Sequence, residues 1–492
     1  MRFTVPPYSV SDDRYIKRIL RHSPSSLVEL IAFTGAQLPL PRDLGRQEGL
    51  GVYGPWALAD AAWISLGLGQ EINRAPAQKR DLGLILGYHL ALDDPVSQET
   101  KEEKLTRFLL RVAGQQFVWQ VDEYSELSRS VALLRQTTPP EKLEVVGPDW
   151  EQEVLGCPVT DYVGLARFAW GAATGHRIPQ LMGRFAPTAF APADFSEFAT
   201  LRSTDDVSTV LERHFVTDAL KLRASFPASP DPLLRRYTHN PLRATPLVSG
   251  YGDGYLIPVA AAVLAKAGLL GLYYTGGENN SPRGKAFTRD LGRLFEQYVA
   301  RQLSLLTDAT VHPEIPYKIS KKETGKSVDW IVVFPNLVLL IEVKSYRPTA
   351  ALRLGPENFA DILAARPGDA FEQIRKTDRL IADNHPAFAE IPHDLPRRGM
   401  VVTMEPFHLL NTVELRAKIP DIGIPVTVTS IHELEQAVTI TDVSLADLLL
   451  TDAQQQRALS LQQLFTGHEF LEHNPVLEQA WEAIPLPGNR RW

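Results

Sequence analysis

The sequence predicts an α/β domain in its C-terminal half, preceded by a mostly α-helical N-terminal region. Three observations carry that reading. Residues 328–334 and 337–343 are adjacent runs rich in β-branched and aliphatic side chains, with Pro335-Asn336 supplying turn chemistry between them. Apolar residues recur at helical spacing on either side, at Leu291, Leu294, Phe295, Tyr298, Val299, Leu303 and Leu306 upstream and at Phe371, Ile374 and Ile381 downstream. The first 240 or so residues are mostly helical in pattern.

In that N-terminal region, Leu105, Phe108, Leu109 and Val112 repeat on one stripe. Val207, Val210, Leu211, Phe215, Ala219 and Leu222 repeat on another, with Asp205 placed to cap it. Proline-containing breaks near Pro187, Pro192, Pro227 and Pro230 divide the region, and no repeat, zinc module or named nucleic-acid-binding motif stands out. Residues 240–248 and 254–258 read as a short two-stranded element leading into a helix at 259–270. The apolar stretch 255–274 is interrupted by Pro258 and Lys266. A lysine near the centre of a span costs about 3 kcal/mol, so a buried strand and helix are expected rather than a membrane segment.

The two apolar runs at 328–343 end in charge. Asp329 opens the first, and Glu342-Val343-Lys344 closes the second. Alternation along a strand puts Glu342 and Lys344 on one face and Val343 on the other. Charges are rarely left buried without a partner, and a divalent metal ion is a natural one. Two carboxylates binding Mg²⁺, a nearby backbone carbonyl as third ligand and a lysine to manage a water suit hydrolysis of a phosphodiester. Asp329, Glu342 and the Val343 carbonyl are thus the candidate metal ligands, with Lys344 beside the water. An Asp at a strand start and a Glu-x-Lys at a strand end also occur as surface ion pairs, which contribute little.

Asp329, twelve intervening residues and then Glu342-Val343-Lys344 resemble the signature of the PD-(D/E)XK nuclease superfamily, although Val328 stands where the motif name has proline. The resemblance covers residues 285–440, about a third of the chain. It implies a restriction-endonuclease-like core, a mixed central sheet flanked by helices, with further strands at 398–404 and 424–429, a helical stretch around 412–418, and a helix opened by the Ser430-Ile431-His432-Glu433 capping box. It also implies two assisting residues, Glu296 on the first core helix and Gln373 on the helix after the catalytic strands. The expected organisation is a helical region 1–240 for recognition, dimerisation or partner binding, a strand-helix connector 241–284, the nuclease domain 285–440 and a C-terminal helical segment 441–492. In that last segment a helical run is expected at 448–465, with glutamines at Gln454 to Gln456, and a loosely held end at 488–492.

The activity so implied is a Mg²⁺-dependent nuclease, with Mn²⁺ able to substitute. DNA is the commoner substrate in the superfamily and RNA the minority one. A prokaryotic restriction or antiviral defence system is the biological setting suggested by analogy. Two alternatives stay open: a partner-gated subunit of a larger defence complex, and a nucleic-acid-binding or scaffold protein without cleavage.

Other motifs fail when spelled out. The glycine-rich stretch 276–286 lacks the spacing of a phosphate loop and has no Ser or Thr after Lys285. His385, His393 and His408 have no second ligand at helical or turn spacing, and the single Cys157 excludes an intramolecular disulfide. At 492 residues, two or three domains are expected, and 44% hydrophobic residues suffice for packed cores. One cysteine and no signal-peptide pattern suit a cytoplasmic protein. The net charge of −7 argues against indiscriminate nucleic-acid coating. A local run (Arg283, Lys285, Arg289, Arg293, Arg301, Lys318, Lys321, Lys322, Lys326, Arg347 and Arg353) suits phosphate contacts.

Overall fold

Ser11, Asp122, Ser203 and Asp218 each precede a helical run, and each side chain accepts a hydrogen bond from a first-turn amide. These caps set helix starts across the N-terminal region of the computed structural model. It describes residues 5–38, 54–95, 101–119, 121–175, 181–227, 231–277, 281–347, 349–365, 367–407, 409–419, 421–455 and 460–485. The expectations for Pro230, His408, Gln456, 488–492 and part of the 276–286 stretch lie outside the described residues. The chain divides into two compact units, Met1–Arg135 with Glu144–Phe287 and Ala480–Trp492, and Gln136–Leu143 with Thr288–Gln479. Residues 241–284 fall in the first unit and 441–479 in the second.

The first unit is helical around one long apolar segment. Helix Pro55–Leu68 is buried on every side from Ala57 to Gly67, as an all-round apolar sequence requires. Asp60 on it is charged and buried, and Arg235 answers it at 2.6 Å while also holding Asp12 at 2.7 Å. A four-stranded sheet of two-residue strands completes the unit, in the order Arg184–Phe185, Tyr255–Leu256, Leu247–Val248, Val216–Thr217. The expected element at 240–258 supplies its two middle strands.

Three local expectations change. The cap of helix Thr204–His214 is Ser203, not Asp205: Ser203 Oγ accepts the Asp206 amide at 3.2 Å and the Asp206 carboxylate accepts the Ser203 amide at 3.0 Å. The expected helix at 259–270 is two helices, Ala261–Ala267 and Leu269–Gly276, because Gly268 is extended (φ −67°, ψ 166°). On helix Lys101–Gln116, Leu105, Phe108 and Leu109 are 57%, 40% and 42% exposed, while Arg107, Leu110 and Arg111 form the buried side. The helix is where the stripe predicts it, but long arginine stems can cover apolar surface, so the apolar stripe is not its buried side.

The second unit is α/β. In chain order its elements are α1 (Pro282–Leu303, the unit holding Thr288 onward), β1 (Thr310–Pro313), β2 (Pro316–Lys318), β3 (Thr324–Lys326), β4 (Trp330–Val333) and β5 (Val338–Lys344). Two short helices precede α2 (Gly368–Ala382), followed by β6 (Arg397–Thr403), β7 (Val426–Ser430), α3 (Ile431–Ala437) and α4 (Leu445–Gln455). The five-stranded sheet runs β7-β6-β5-β4-β1. β6 is parallel to β5 and β7, whereas β4 is antiparallel to β5 and β1 to β4. The sheet is therefore mixed. Strands β2 and β3 pair only with each other, as a separate ribbon.

β5 is buried on both faces up to Val343, so it reads as a nearly continuous apolar run. Helix α2 packs on β5 and β6. Gly399 permits that approach, because a Cβ there would lie 2.9 Å from Ile374 Cγ2. Ser430 forms the expected capping box with Glu433. Arg398 on β6 donates to Thr427 at 3.0 Å and pairs with buried Asp452 of α4. The expected run at 448–465 is instead α4 followed by a separate 3-10 turn, Leu461–Phe465.

Candidate functional site

Asp329 lies between β3 and β4, and the register of β4 with β5 pairs Trp330 with Ile341. That pairing carries Asp329 to the same sheet end as Glu342 and Lys344. Asp329 Oδ2 accepts the Val343 amide at 2.7 Å. Lys344 Nζ donates to Glu342 Oε1 at 2.7 Å, as two residues on one strand face can. Glu342 is only 5% exposed, and its Oε2 is buried with no hydrogen-bond partner. The third candidate ligand, the Val343 carbonyl, belongs to the residue whose amide holds Asp329.

Burial dominates the electrostatics. It pushes the Glu342 carboxyl upward, reinforced by Asp329, against the lowering effect of Lys344. The same cause raises Asp329, opposed by the Val343 amide and then by Lys344. Lys344 is raised by Glu342 and Asp329, which outweigh its own desolvation. Its ammonium is therefore held charged among carboxylates.

Glu296 on α1 senses the same cluster. Burial, then the charges of Asp329 and Glu314, push its carboxyl up to about 7. The backbone carbonyl of Glu296 accepts Trp330 Nε1 at 3.2 Å, which ties α1 to the first residue of β4. Gln373 occupies a different position. Its amide nitrogen donates to the carbonyls of Lys326 and Ser327 at 2.7 and 2.8 Å, so it braces the segment leading into Asp329. Thr377, one turn further on α2, accepts the Val328 amide at 3.0 Å.

Glu314 was not singled out by sequence. β1 pairs Pro313 with Trp330, and continuing that antiparallel register sets Glu314 opposite Asp329. Pro313 and Pro316 break the apolar alternation that would have marked this strand. Glu314 binds Lys326 at 2.8 Å. The basic run is thus less free than its composition suggested. Arg293 lies 3.6 Å from both Asp290 and Glu141, Arg353 pairs with Glu405 at 2.6 Å, and Arg283 pairs with Glu153.

Among the described residues no three His, Cys, Asp or Glu side chains form a ready cation cage. A hydrated Mg²⁺ needs only one or two carboxylates, with water completing its shell. The orphaned Glu342 Oε2 beside Asp329 fits such an ion, since an unpartnered buried carboxylate oxygen is costly. No helix among the described residues is long and apolar enough to cross a membrane. Comparison with protein-family models, curated proteins and solved structures finds no match.

Proposed function

We propose that the chain is a Mg²⁺-dependent nuclease with a restriction-endonuclease-like core, acting on DNA. One observation carries the reading: Asp329 and the orphaned oxygen of Glu342 meet at the ends of adjacent antiparallel strands with Lys344 beside them. The order α1, β1, β4, β5, α2, β6 is compatible with that core. Asp329, Glu342 and the Val343 carbonyl are the residues that would hold the ion. When bound, Mg²⁺ supplies Lewis-acid stabilisation of the phosphate charge and a more acidic water. Lys344, held beside Glu342, would orient the attacking water and balance charge at the scissile phosphate. Glu296, on α1 beside the acidic cluster, would take up at its ionised carboxylate the proton that the attacking water gives up. Gln373 acts as a positioning residue through the 326–327 carbonyls.

Restriction or antiviral defence, including gating by a partner, is the setting proposed with this activity. One observation favours an alternative, nucleic-acid binding without cleavage: Lys344 already neutralises Glu342 directly, at 2.7 Å. Incubation of the full chain and its Asp329→Ala variant with linear and circular duplex DNA, single-stranded DNA and RNA in Mg²⁺, Mn²⁺ or EDTA separates the two. Metal-dependent cutting that the variant loses supports the nuclease. Binding without cutting in every metal supports the alternative, and RNA cutting alone corrects the substrate.

A further inference from the structure

The β2–β3 ribbon is attached to the site by its base and otherwise stands apart from the sheet. Its pairs are Pro316 with Lys326, Tyr317 with Gly325 and Lys318 with Thr324. β3 ends three residues before Asp329, so any force on the ribbon is delivered next to a candidate ligand. The base is firmly held. The Ser327 amide donates to the Ile315 carbonyl at 3.0 Å, and the Ile315 amide donates back to Ser327 Oγ at 2.8 Å. Gln373 fixes the adjoining carbonyls. The Tyr317 ring lies against His385 and Phe388, with ring centres 5.9 and 6.2 Å away. Gly325 leaves room for it, since a Cβ there would come within 2.5 Å of the ring.

The tip has the opposite character. Residues 318–324 are all exposed, and Ile319, an apolar side chain that folding gains nothing by displaying, is 56% exposed. The tip is closed by the Ile319 amide donating to the Glu323 carbonyl at 3.0 Å. Lys318, Lys321 and Lys322 project there against one acid, Glu323, in a chain whose net charge is −7. Lys326 at the base is already neutralised by Glu314. At about 3.3 Å per strand residue, the tip reaches about 13 Å from Lys326. A two-stranded ribbon fits the B-form major groove, about 12 Å wide, and that reach exceeds its depth of about 8.5 Å, whereas the A-form RNA groove is too narrow and a single strand has none.

Resting on the nuclease reading, we infer that the β2–β3 ribbon is the element that engages duplex DNA, with Lys318, Lys321 and Lys322 on phosphates and Ile319 in apolar contact within the groove. The substrate class is then double-stranded DNA, and the anchored base sets the distance from groove to scissile phosphate.

The test is binding of the full chain to a short duplex and to its single strand, in EDTA, across a salt series. Lys321→Gln/Lys322→Gln should weaken duplex binding at least tenfold at low salt and flatten the slope of log affinity against log salt by about 1.8, at about 0.9 per phosphate contact. The loss on the single strand should be at least fivefold smaller. Ile319→Ala should weaken duplex binding without changing the slope, because an apolar contact releases no counterions. Equal losses on both substrates, an unchanged slope in the lysine variant, or no duplex binding by the unaltered chain overturns the inference. Because EDTA removes any metal dependence, failure of cleavage with the ribbon effects intact counts against the nuclease reading alone. Cleavage with no ribbon effect counts against the ribbon alone.

Discussion

At the scale of single residues, the candidate site is governed by the burial of acids. Lys344 is the only cation hydrogen-bonded to Glu342 among the described contacts, so its loss leaves a buried carboxylate facing Asp329. Lys344→Ala is expected to reduce cleavage by about 10²-fold or more while the far-ultraviolet circular dichroism stays unchanged. Full cleavage by that variant removes the residue from the mechanism. Glu296 gives a pH signature. Folded, it keeps its proton up to about 7, above the ordinary value of 4.5. Between those values the folded chain binds more protons than the unfolded one, so the contribution of Glu296 to stability falls as pH rises. Glu296→Gln, which cannot ionise, should gain melting temperature relative to the unaltered chain on going from pH 5 to pH 8 without divalent ions. A difference that does not vary with pH refutes this account.

Among elements, α2 acts on the site through backbone. Val328 and Thr377 are both fully buried, and the Val328 amide has Thr377 Oγ1 as its partner. Thr377→Val keeps the shape but strands that amide, at a cost of about 1–3 kcal/mol in urea unfolding. Gln373→Ala should lower the cleavage rate more than it lowers metal affinity, since it frees the segment before Asp329 without touching a carboxylate. A loss confined to metal affinity would assign Gln373 to the ion instead. In the first unit, Arg235 joins the helices carrying Asp12 and Asp60, with its side chain fully buried. Arg235→Ala leaves two carboxylates uncompensated and should destabilise that unit by about 3–5 kcal/mol, measured by chemical denaturation. A change below about 1 kcal/mol would mean that water replaces the guanidinium.

For the whole molecule, the proposed ion binding would be linked to folding. If Mg²⁺ binds only the folded chain, a concentration one hundred times its dissociation constant adds about 2.7 kcal/mol. Titration with Mg²⁺ should therefore raise the melting temperature of the unaltered chain and leave Asp329→Ala nearly unmoved. An equal rise in both places the ion elsewhere. This experiment is independent of substrate, so it tests the metal-binding premise even for a chain that a partner must activate.

What the sequence determined by itself is local. The 328–343 hairpin, the capping box at Ser430 and the helical faces around Phe295 and Ile374 follow from alternation, turn residues and 3.6-residue periodicity. Those signals are contained within a few neighbouring residues. They also nominated Asp329, Glu342 and Lys344, whose spacing across one hairpin already implies proximity. Tertiary structure decided what depends on partners distant in sequence. Glu314 enters through the register of β1 with β4, and Gln373 faces the carbonyls of Lys326 and Ser327 rather than a carboxylate. The exposed side of helix Lys101–Gln116 could not be read from spacing, because periodicity defines a face but not what covers it. The lysines divide by the same rule. Lys326 is bound to Glu314 and Lys344 to Glu342, while Lys321 and Lys322 reach solvent at the ribbon tip, a distinction set by which acids the fold brings within about 4 Å.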